Sequence, residues 1–365
     1  MTTNSFGGTY RSRKILVTGH TGFKGAWLTY WLVRLSAEVY GVSLPAPISH
    51  PNLFGELGLA TKCHDIRVDI SVAHQLETAT RDIEPDLILH LAAQSTVMRG
   101  YRDPYGTYLA NALGTANVIE NVRRLGWHCP IVVVTSDKCY RNDGASGAFR
   151  EGDPLGGNDP YSASKAAAEL VVAGYREVPD MPPIVTVRAG NVIGGGDWGE
   201  DRLVSDTVRA LHEGKEIALR NPDYERPWYF VLDSLAGYLE VGRRLLSGRA
   251  ISRTFNFGPE PDQRLSVRGA AECLRDAWGC SKSRISEPCS ASEYKEAAVL
   301  ALDSTRAREE LGWCPVIQLE EAVERTAKWY RAFYEDADVE RLCENELLTY
   351  ETTAAARDAV WAFKD

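Results

Sequence analysis

The chain has 365 residues, of which 44% are hydrophobic and 25% charged, so its composition excludes a disordered protein. Its formal net charge of −9 disfavours nucleic acid and acidic membrane surfaces as partners. The eight cysteines form no CxxC pair and no zinc-site spacing, and no apolar stretch reaches the roughly 18 residues of a membrane span. We therefore expect a cytoplasmic protein of enzyme size, with no metal site and no membrane segment.

Short apolar runs alternate with longer amphipathic segments through the first half of the chain. The runs are continuously apolar, which predicts strands buried on both faces, as in a parallel sheet. They lie at 15–18, 39–43, 86–91, 131–135 and 184–188. Helices are predicted at 25–37, 107–125 and 161–176. This alternation predicts an α/β fold with a doubly wound parallel sheet of the Rossmann type.

The pattern changes after residue 190. A loop at 194–198, a helix near 206–213, a strand at 254–259 and a helix at 319–333 predict a smaller, mixed C-terminal substrate lobe. We assign 1–190, with returns near 230–258, to dinucleotide binding. We assign 191–365 mainly to the substrate lobe and to C-terminal helices, and no function to the acidic, helix-prone tail beyond 336.

A glycine triad directly follows the first strand and opens the first helix: Gly19, Gly22 and Gly25. Such glycines permit a tight turn and bring a pyrophosphate to the helix N-terminus. The second strand ends at Ser43 without an acid, and no arginine follows for a 2′-phosphate, so the sequence favours NAD over NADP only weakly. Lys24 could receive such a phosphate or be merely solvated. Asp69 could meet the adenine or cap the helix predicted over 71–80.

Tyr161 and Lys165 are four residues apart, so a helix places both side chains on one face. A nearby ammonium stabilises a phenolate, and we expect it to lower the pKa of Tyr161 for use as a general base. Ser136 follows the strand 131–135, where its hydroxyl can hydrogen-bond the same substrate alcohol. These groups, beside a dinucleotide, are the ones needed to oxidise an alcohol by hydride transfer.

Six strings then follow in order along the chain: VTGHTGFKGAWL, HLAAQS, VTSDKCY, DPYSASK, GGGDWGEDRL and LRNPDYERPW. Together they resemble the extended short-chain dehydrogenase/reductase family, and within it the nucleotide-sugar 4,6-dehydratases. The resemblance implies an NAD-dependent lyase acting on a nucleotide-hexose, with CDP-glucose as the substrate and a sibling nucleotide-sugar as the alternative. It also implies a homodimer formed by the helices 107–125 and 161–176.

The resemblance gives roles to the two residues after Ser136. After oxidation at C4, the C5 proton becomes acidic because it lies next to the ketone. Asp137 is implied as the acid that protonates the departing C6 hydroxyl, and Lys138 as the base, which must be neutral to act. Without the surrounding motifs, Asp137 and Lys138 would be read as a solvated turn.

Four arginines fall within 188–226 of this acidic chain, and arginine forks match the phosphates of a nucleoside diphosphate. Arg188 could instead pair with an acid at its strand end. The implied substrate contacts are Ser95, Asn191, Arg202, Leu203, Arg220 and Arg226. The implied cofactor contacts are Gly19, Thr21, Gly22, Phe23, Lys24, Gly25, Ser43, Asp69, Ile70, Leu91, Ala92, Ala93, Gln94, Asn111, Thr135, Tyr161, Lys165 and Ala189.

Two other functions remain open at this point. An epimerase or another enzyme that oxidises C4 would use Ser136, Tyr161 and Lys165 without losing water. A dinucleotide sensor would keep the fold without the chemistry, and the complete serine, tyrosine and lysine set argues against it. Tyr229 and Phe230 depart from the residues expected after RPW, which leaves the nucleotide and the sugar less certain than the reaction class.

Overall fold

A computed structural model describes residues 5–47, 49–144, 147–260, 263–280, 283–286 and 299–362. Its strands, in chain order, are β1 (Lys14–Thr18), β2 (Glu38–Ser43), β3 (His64–Arg67), β4 (Leu87–His90), β5 (Ile131–Val134), β6 (Ile184–Ala189), β7 (Val192–Ile193), β8 (Ile217–Ala218), β9 (Glu225–Arg226), β10 (Tyr229–Phe230), β11 (Thr254–Phe257), β12 (Leu265–Ser266) and β13 (Ile285–Ser286). Seven of them form one parallel sheet in the order β11-β6-β5-β4-β1-β2-β3. The predicted doubly wound α/β fold is confirmed.

The helices are α1 (Phe23–Arg34), α2 (Leu53–Glu56), α3 (Ala73–Thr80), α4 (Val97–Arg102), α5 (Pro104–Tyr108), α6 (Gly114–Leu125), α7 (Pro160–Tyr175), α8 (Leu203–His212), α9 (Val231–Leu246), α10 (Val267–Trp278), α11 (Leu319–Tyr334) and α12 (Val339–Ala356). A π-helical segment, Leu109–Leu113, joins α5 to α6. Among the described residues, none of these helices has the length and apolar character needed to cross a membrane.

The central strands are buried on both faces, as their continuous apolarity predicts. Leu87, Ile88 and Leu89 of β4 have no exposed surface, and their side chains alternate between two hydrophobic clusters on opposite faces of the sheet. Helix α1 ends at Arg34, three residues before its predicted end, because Ser36 turns the chain with a φ of 62°. Helix α8 begins at Leu203, three residues before its predicted start.

The position of the functional site follows from the strand order. From β1 the sheet extends to β2 and β3 on one side and to β4, β5, β6 and β11 on the other. The connections leave β1 in opposite directions, which opens a crevice at the carboxyl ends of the strands, where α/β folds bind ligands. The loops after β1, β4 and β5 carry three of the strings, and these include the glycine triad and Ser136, Asp137 and Lys138, whereas Tyr161 and Lys165 lie on α7.

The tail beyond residue 336 is helix α12 and the turn after it, packed on the outer side of α1. Trp31 of α1 donates its indole N–H to Glu351 at 3.1 Å, and the Tyr350 and Trp361 rings lie 5.8 and 5.6 Å from the Trp31 ring. Tyr350 also donates to the buried Asp233 of α9 at 2.8 Å. The C-terminus therefore braces the helix that begins at the glycine-rich loop.

Candidate active site

A cavity of about 840 Å³ lies at the carboxyl edge of the sheet. All the implied catalytic residues and substrate contacts line this cavity, and so does every implied cofactor contact except Asn111, whereas Arg188 does not line it. The structure thus brings together residues that the sequence separates by more than 200 positions. Residues 191–365 contribute the wall that includes α8 and the residues after β8.

The glycine-rich loop fits a pyrophosphate because its glycines leave no room for side chains. Gly19 has a φ of +76°, and a Cβ there would lie 2.7 Å from the Ala92 nitrogen. A Cβ on Gly25 would lie 2.0 Å from the Gly19 carbonyl oxygen. Gly22 is the N-cap of α1 and, lacking a side chain, leaves the positive helix end open to the cavity.

His20 directly follows Gly19 in this loop, and its buried side chain contacts a polar residue of β3. The sequence did not indicate this contact. The His20 Nε2 lies 2.9 Å from Oδ1 of Asp65, and burial lowers the pKa of His20. Asp65 also pairs with Arg67 at 2.6 Å. A Cβ on Gly41 would lie 2.3 Å from the His20 ring, so glycine in β2 makes space for this histidine. Ser43 accepts the Thr21 N–H at 3.3 Å.

Lys24 and Asp69 both line the cavity. Lys24 donates to the Tyr238 hydroxyl at 3.2 Å, a contact that its position in the sequence did not indicate. Burial, assisted by Arg202, lowers the pKa of Lys24 to about 8. Asp69 lines the cavity and accepts the Ser71 N–H at 2.8 Å, capping a turn, whereas the N-cap of α3 is Val72.

Asn111 lies behind the cofactor loop. Its amide donates to the Gln94 carbonyl at 3.0 Å and to Ser164 of α7 at 2.8 Å, and its oxygen accepts the Gln94 N–H at 2.8 Å. Asn111 is buried and belongs to the π-helical segment, a distortion that is frequent at functional sites. The residue predicted as a cofactor contact therefore positions the loop after β4 against α7.

Ser136 and Asp137 meet at the end of β5. Ser136 caps the short 3₁₀ turn Asp137–Cys139 by accepting the Lys138 N–H at 3.2 Å, and its hydroxyl donates to Asp137 Oδ1 at 2.9 Å. Asp137 is 3% exposed, and its Oδ2 is buried without a hydrogen-bond partner in the described part of the chain. Burial raises the pKa of Asp137 against the opposing influence of Lys138. A buried carboxyl of this kind is suited to hold a proton and deliver it to a substrate oxygen.

Tyr161 and Lys165 line the same cavity from the first two turns of α7, which Asp159 caps by accepting the Ser162 N–H. The Lys165 ammonium donates to the Val134 carbonyl at 3.3 Å, and burial together with Lys24 lowers its pKa to about 8. The expected lowering of the Tyr161 pKa is wrong for the structure. Burial outweighs the Ser136 hydrogen bond, and the pKa of Tyr161 is raised.

Arg188 is a structural residue, the second of the two alternatives stated for it. Its guanidinium donates to both carboxylate oxygens of Glu169, at 2.9 and 2.8 Å, and both side chains are almost fully buried. Burial alone would raise the pKa of Glu169, but its hydrogen bonds with Arg188 hold the pKa below its usual value. Glu169 also accepts the Thr135 hydroxyl at 2.5 Å. The pair therefore fixes α7 against the strand end that carries Ser136.

The predicted substrate arginines lie in the cavity wall that residues 191–365 contribute. Arg202 pairs with Asp197 at 2.5 Å and donates to Ser95 at 2.7 Å. Arg220 pairs with Asp201 at 3.0 Å. Arg226 is buried, with its guanidinium carbon 5.3 Å from the centre of the Tyr224 ring.

The two residues that depart from the family string stand behind this wall. Tyr229 and Phe230 are both about 1% exposed, and the Tyr229 N–H donates to the Asn191 carbonyl at 3.1 Å. They therefore support Asn191 from the core and do not themselves line the cavity.

The cavity lining also includes charged residues that the sequence did not single out: Arg99, Arg102, Asp197, Asp201 and Asp206. Arg99 and Arg102 lie four and seven residues after the HLAAQS string, both on α4, and that spacing was the available signal for them. The three aspartates lie among the residues of the GGGDWGEDRL string and α8. Their role depends on which side chains they meet across the cavity, and sequence spacing does not reveal that.

Comparison with known proteins places this site in a family. The model of the GDP-mannose 4,6 dehydratase family matches residues 16–326. A CDP-glucose 4,6-dehydratase of Salmonella typhimurium is 36% identical over 350 residues, covering 93% of this chain and 97% of that protein. A dTDP-glucose 4,6-dehydratase of Xanthomonas campestris is 28% identical, covering 86% and 92%.

Two solved structures show the same fold. DesIV, a dTDP-glucose 4,6-dehydratase from Streptomyces venezuelae solved with NAD and TYD bound, has a TM-score of 0.78 at 25% identity and covers 90% of this chain and 99% of its own. A UDP-glucose 4-epimerase of Thermotoga maritima has a TM-score of 0.77 at 22% identity, covering 88% and 99%, and is similar in fold alone. By the family model and the 36% identity over nearly its whole length, the chain belongs to the GDP-mannose 4,6 dehydratase family of extended short-chain dehydrogenases/reductases.

Proposed function

We propose that this protein is an NAD-dependent nucleotide-sugar 4,6-dehydratase whose substrate is CDP-glucose. The observation that carries the proposal is the buried, unpartnered Oδ2 of Asp137, which lies in the same cavity as Tyr161 and Lys165. An epimerase has no need of a buried proton donor there, because it returns the hydride to the carbon it came from. The Salmonella relative named CDP-glucose 4,6-dehydratase supports the choice of substrate.

NAD fits the residues on the cofactor side of the cavity. The N-terminus of α1 and the close-packed glycines would hold its pyrophosphate, and Ser43 and Asp69 would face its adenosine end. The bound NAD in the solved DesIV dehydratase supports this assignment. We propose that 1–190, with the returns near 230–258, bind the cofactor and that 191–365 mainly form the substrate lobe.

Oxidation at C4 uses the residues at the strand end and on α7. Tyr161 accepts the proton of the C4 hydroxyl, and Ser136 hydrogen-bonds the same oxygen. NAD, when bound, supplies the acceptor for the hydride and later its donor. Because burial raises the Tyr161 pKa, the positive charge of Lys165 and of the oxidised cofactor is needed to stabilise the phenolate.

Elimination then requires an acid and a base on the C5–C6 bond. Lys138 takes the C5 proton, made acidic by the neighbouring ketone, and Asp137 gives its proton to the C6 hydroxyl, which leaves as water. The hydride returns to C6 and a proton to C5, so the net change is loss of one water. The raised pKa of Asp137 keeps the proton available for this step.

The function is tested by incubating the protein with CDP-glucose and NAD and weighing the product by mass spectrometry. We expect a product lighter than the substrate by one water, with no net consumption of NAD. An unchanged mass with an altered sugar configuration would establish the epimerase instead. UDP-, dTDP- and GDP-hexoses in parallel reactions identify the nucleotide, and no product from any of them would refute the proposal.

We also propose a homodimer formed through α5, α6 and α7. Four large apolar side chains of this face and its π segment are exposed: Tyr105, Tyr108, Leu113 and Leu170. An exposed apolar patch on two adjacent helices is typical of a self-complementary contact between two copies. The seven described cysteines carry free thiols, in keeping with a cytoplasmic location.

We expect Leu170→Glu to convert the dimer to a monomer, because Leu170 is 62% exposed on α7 and would place a charge within the contact. Light scattering should report half the wild-type mass. Leu348→Glu is the matched control, since Leu348 is 40% exposed on α12, a different face, and should leave the mass unchanged. A wild-type protein of monomer mass would contradict the proposed dimer.

A further inference from the structure

Asp201 joins two arginines that belong to different parts of the fold. Its Oδ1 lies 3.0 Å from Arg220 Nη1, and its Oδ2 lies 3.5 Å from Arg102 Nη2. The Asp201 carbonyl oxygen accepts a further hydrogen bond from Arg220 at 3.1 Å. Arg102 ends α4, in the part of the chain assigned to cofactor binding, whereas Arg220 follows β8, in the part assigned to the substrate lobe. All three residues line the cavity.

We propose that Asp201 is an internal competitor for the substrate's diphosphate, holding Arg102 and Arg220 until a phosphate replaces its carboxylate, and that Arg102 is thereby a phosphate-binding residue. This inference rests on the proposed function, since it concerns how the same cavity binds its nucleotide. It adds Arg102 to the predicted phosphate-binding residues. Asp201, in contrast, opposes phosphate binding by occupying the arginines.

The charges make the exchange favourable. A carboxylate bridging two guanidinium groups occupies the place of an anion, but it offers one negative charge to two cations. A diphosphate offers two charges and more acceptor oxygens in the geometry that arginine forks prefer. The Arg102 and Arg220 side chains are 59% and 42% exposed, so the ion pairs with Asp201 are solvated and weak enough to be displaced.

The backbone conformation of Asp201 indicates that its ion pairs with Arg102 and Arg220 help to hold this segment in place. Asp201 has a φ of 60°, in the left-handed region that residues other than glycine rarely adopt. Aspartate is tolerated there, yet the conformation persists only when surrounding contacts favour it. Displacement of the carboxylate removes two of those contacts and frees the Asp201 side chain to turn away from the phosphate.

The direction in which Asp201→Asn changes the affinity for the nucleotide distinguishes this role from a structural one. If Asp201 competes with the diphosphate, Asp201→Asn removes the competing charge and tightens nucleotide binding. If Asp201 merely positions Arg220, the same change weakens binding. Asp201→Gly is a second variant, because glycine accepts a φ of 60° without strain and lacks the carboxylate altogether.

The test is calorimetric titration of the full-length protein with CDP and with cytidine. We expect Asp201→Asn and Asp201→Gly to lower the Kd for CDP by about three- to tenfold and Arg102→Ala to raise it by a similar factor. Cytidine, which has no phosphate, should bind all variants alike. Arg124→Ala is the matched control, since Arg124 is an exposed arginine of α6, paired with Glu77, outside the cavity wall.

Steady-state assays should show the same changes in KM with kcat unaltered, and Arg102→Lys should recover part of the affinity lost in Arg102→Ala. Weaker CDP binding by both Asp201 variants, or unchanged binding by Arg102→Ala, would overturn the inference while leaving the proposed function intact. If wild-type protein binds none of CDP, UDP, dTDP and GDP, the proposed function fails and the inference falls with it. If another of these nucleotides binds, the same comparison is made with that diphosphate and its nucleoside.

Discussion

Replacing Asp137 with asparagine should lower kcat for dehydration by about 10²- to 10⁴-fold, the usual contribution of a positioned general acid. The amide is nearly the same size as the carboxyl, so the cavity and the Ser136 contact are retained while the deliverable proton is lost. The variant should still oxidise C4. We therefore expect the near-ultraviolet absorbance of reduced nicotinamide to persist on the protein when substrate is added.

The matched control for this experiment is Asp143→Asn. Asp143 lies six residues further along the chain with 63% of its side chain exposed, and it pairs with Arg141. Its replacement should leave kcat unchanged. If Asp137→Asn dehydrated its substrate at the wild-type rate, Asp137 would not be the acid.

The same reasoning gives the direction of the pH dependence. Burial raises the Asp137 pKa, so the acid form survives to a higher pH than in an exposed aspartate and is lost as the pH rises through that raised pKa. The Lys165 pKa is lowered to about 8, so the site also loses a cation as the pH rises through that value. Wild-type kcat should therefore fall on the alkaline side.

Removing Arg188 should produce the largest loss of stability. Arg188→Ala leaves the Glu169 carboxylate buried beneath α7 without its cation, and breaking a buried pair in this way costs about 3–5 kcal/mol of unfolding free energy. The change also removes the contact of the guanidinium with the Tyr140 ring, 4.8 Å away. Denaturant unfolding monitored by tryptophan fluorescence measures the difference.

Two further variants show whether the loss of stability comes from the unpaired charge of Glu169. Arg188→Met combined with Glu169→Leu should recover much of the lost stability, because apolar replacements of a buried pair leave no unpaired charge. Arg253→Ala breaks an ion pair with Glu177 in which both side chains are more than two-thirds exposed, and its unfolding free energy should stay near wild type. Equal losses in the single and double variants would show that the charge itself is not the cause.

Much of the fold was predictable because buried parallel strands leave a continuous apolar signal. The strands from β1 to β6 that were predicted lie within one or two residues of their predicted bounds, as does β11 at its start. The helix Thr107–Leu125 was predicted without its π segment, whose Asn111 makes hydrogen bonds to residue 94 and to α7 that helical periodicity does not reveal. Six short strands, β7, β8, β9, β10, β12 and β13, have two residues each and carry no periodicity.

The site residues could be predicted where they belong to one short sequence motif. Features that depend on contacts between residues distant in sequence could not be predicted. Ser136, Asp137, Tyr161 and Lys165 belong to strings whose residue types already specify an acid–base task. The inward turn of Lys24 toward Tyr238 joins residues 214 positions apart, and no spacing indicates it. The raised pKa of Tyr161 depends in the same way on burial by the surrounding elements.

The brace formed by α12 has a consequence for how the protein matures on the ribosome. The glycine-rich loop lies at residues 19–25, yet the helix it opens obtains its Glu351 acceptor and its Tyr350 and Trp361 contacts from residues more than 300 positions later in the chain. During synthesis, Trp31 therefore lacks these contacts until α12 and Trp361 have been made. The support of α1 is in this sense completed late, after every strand of the parallel sheet has been made.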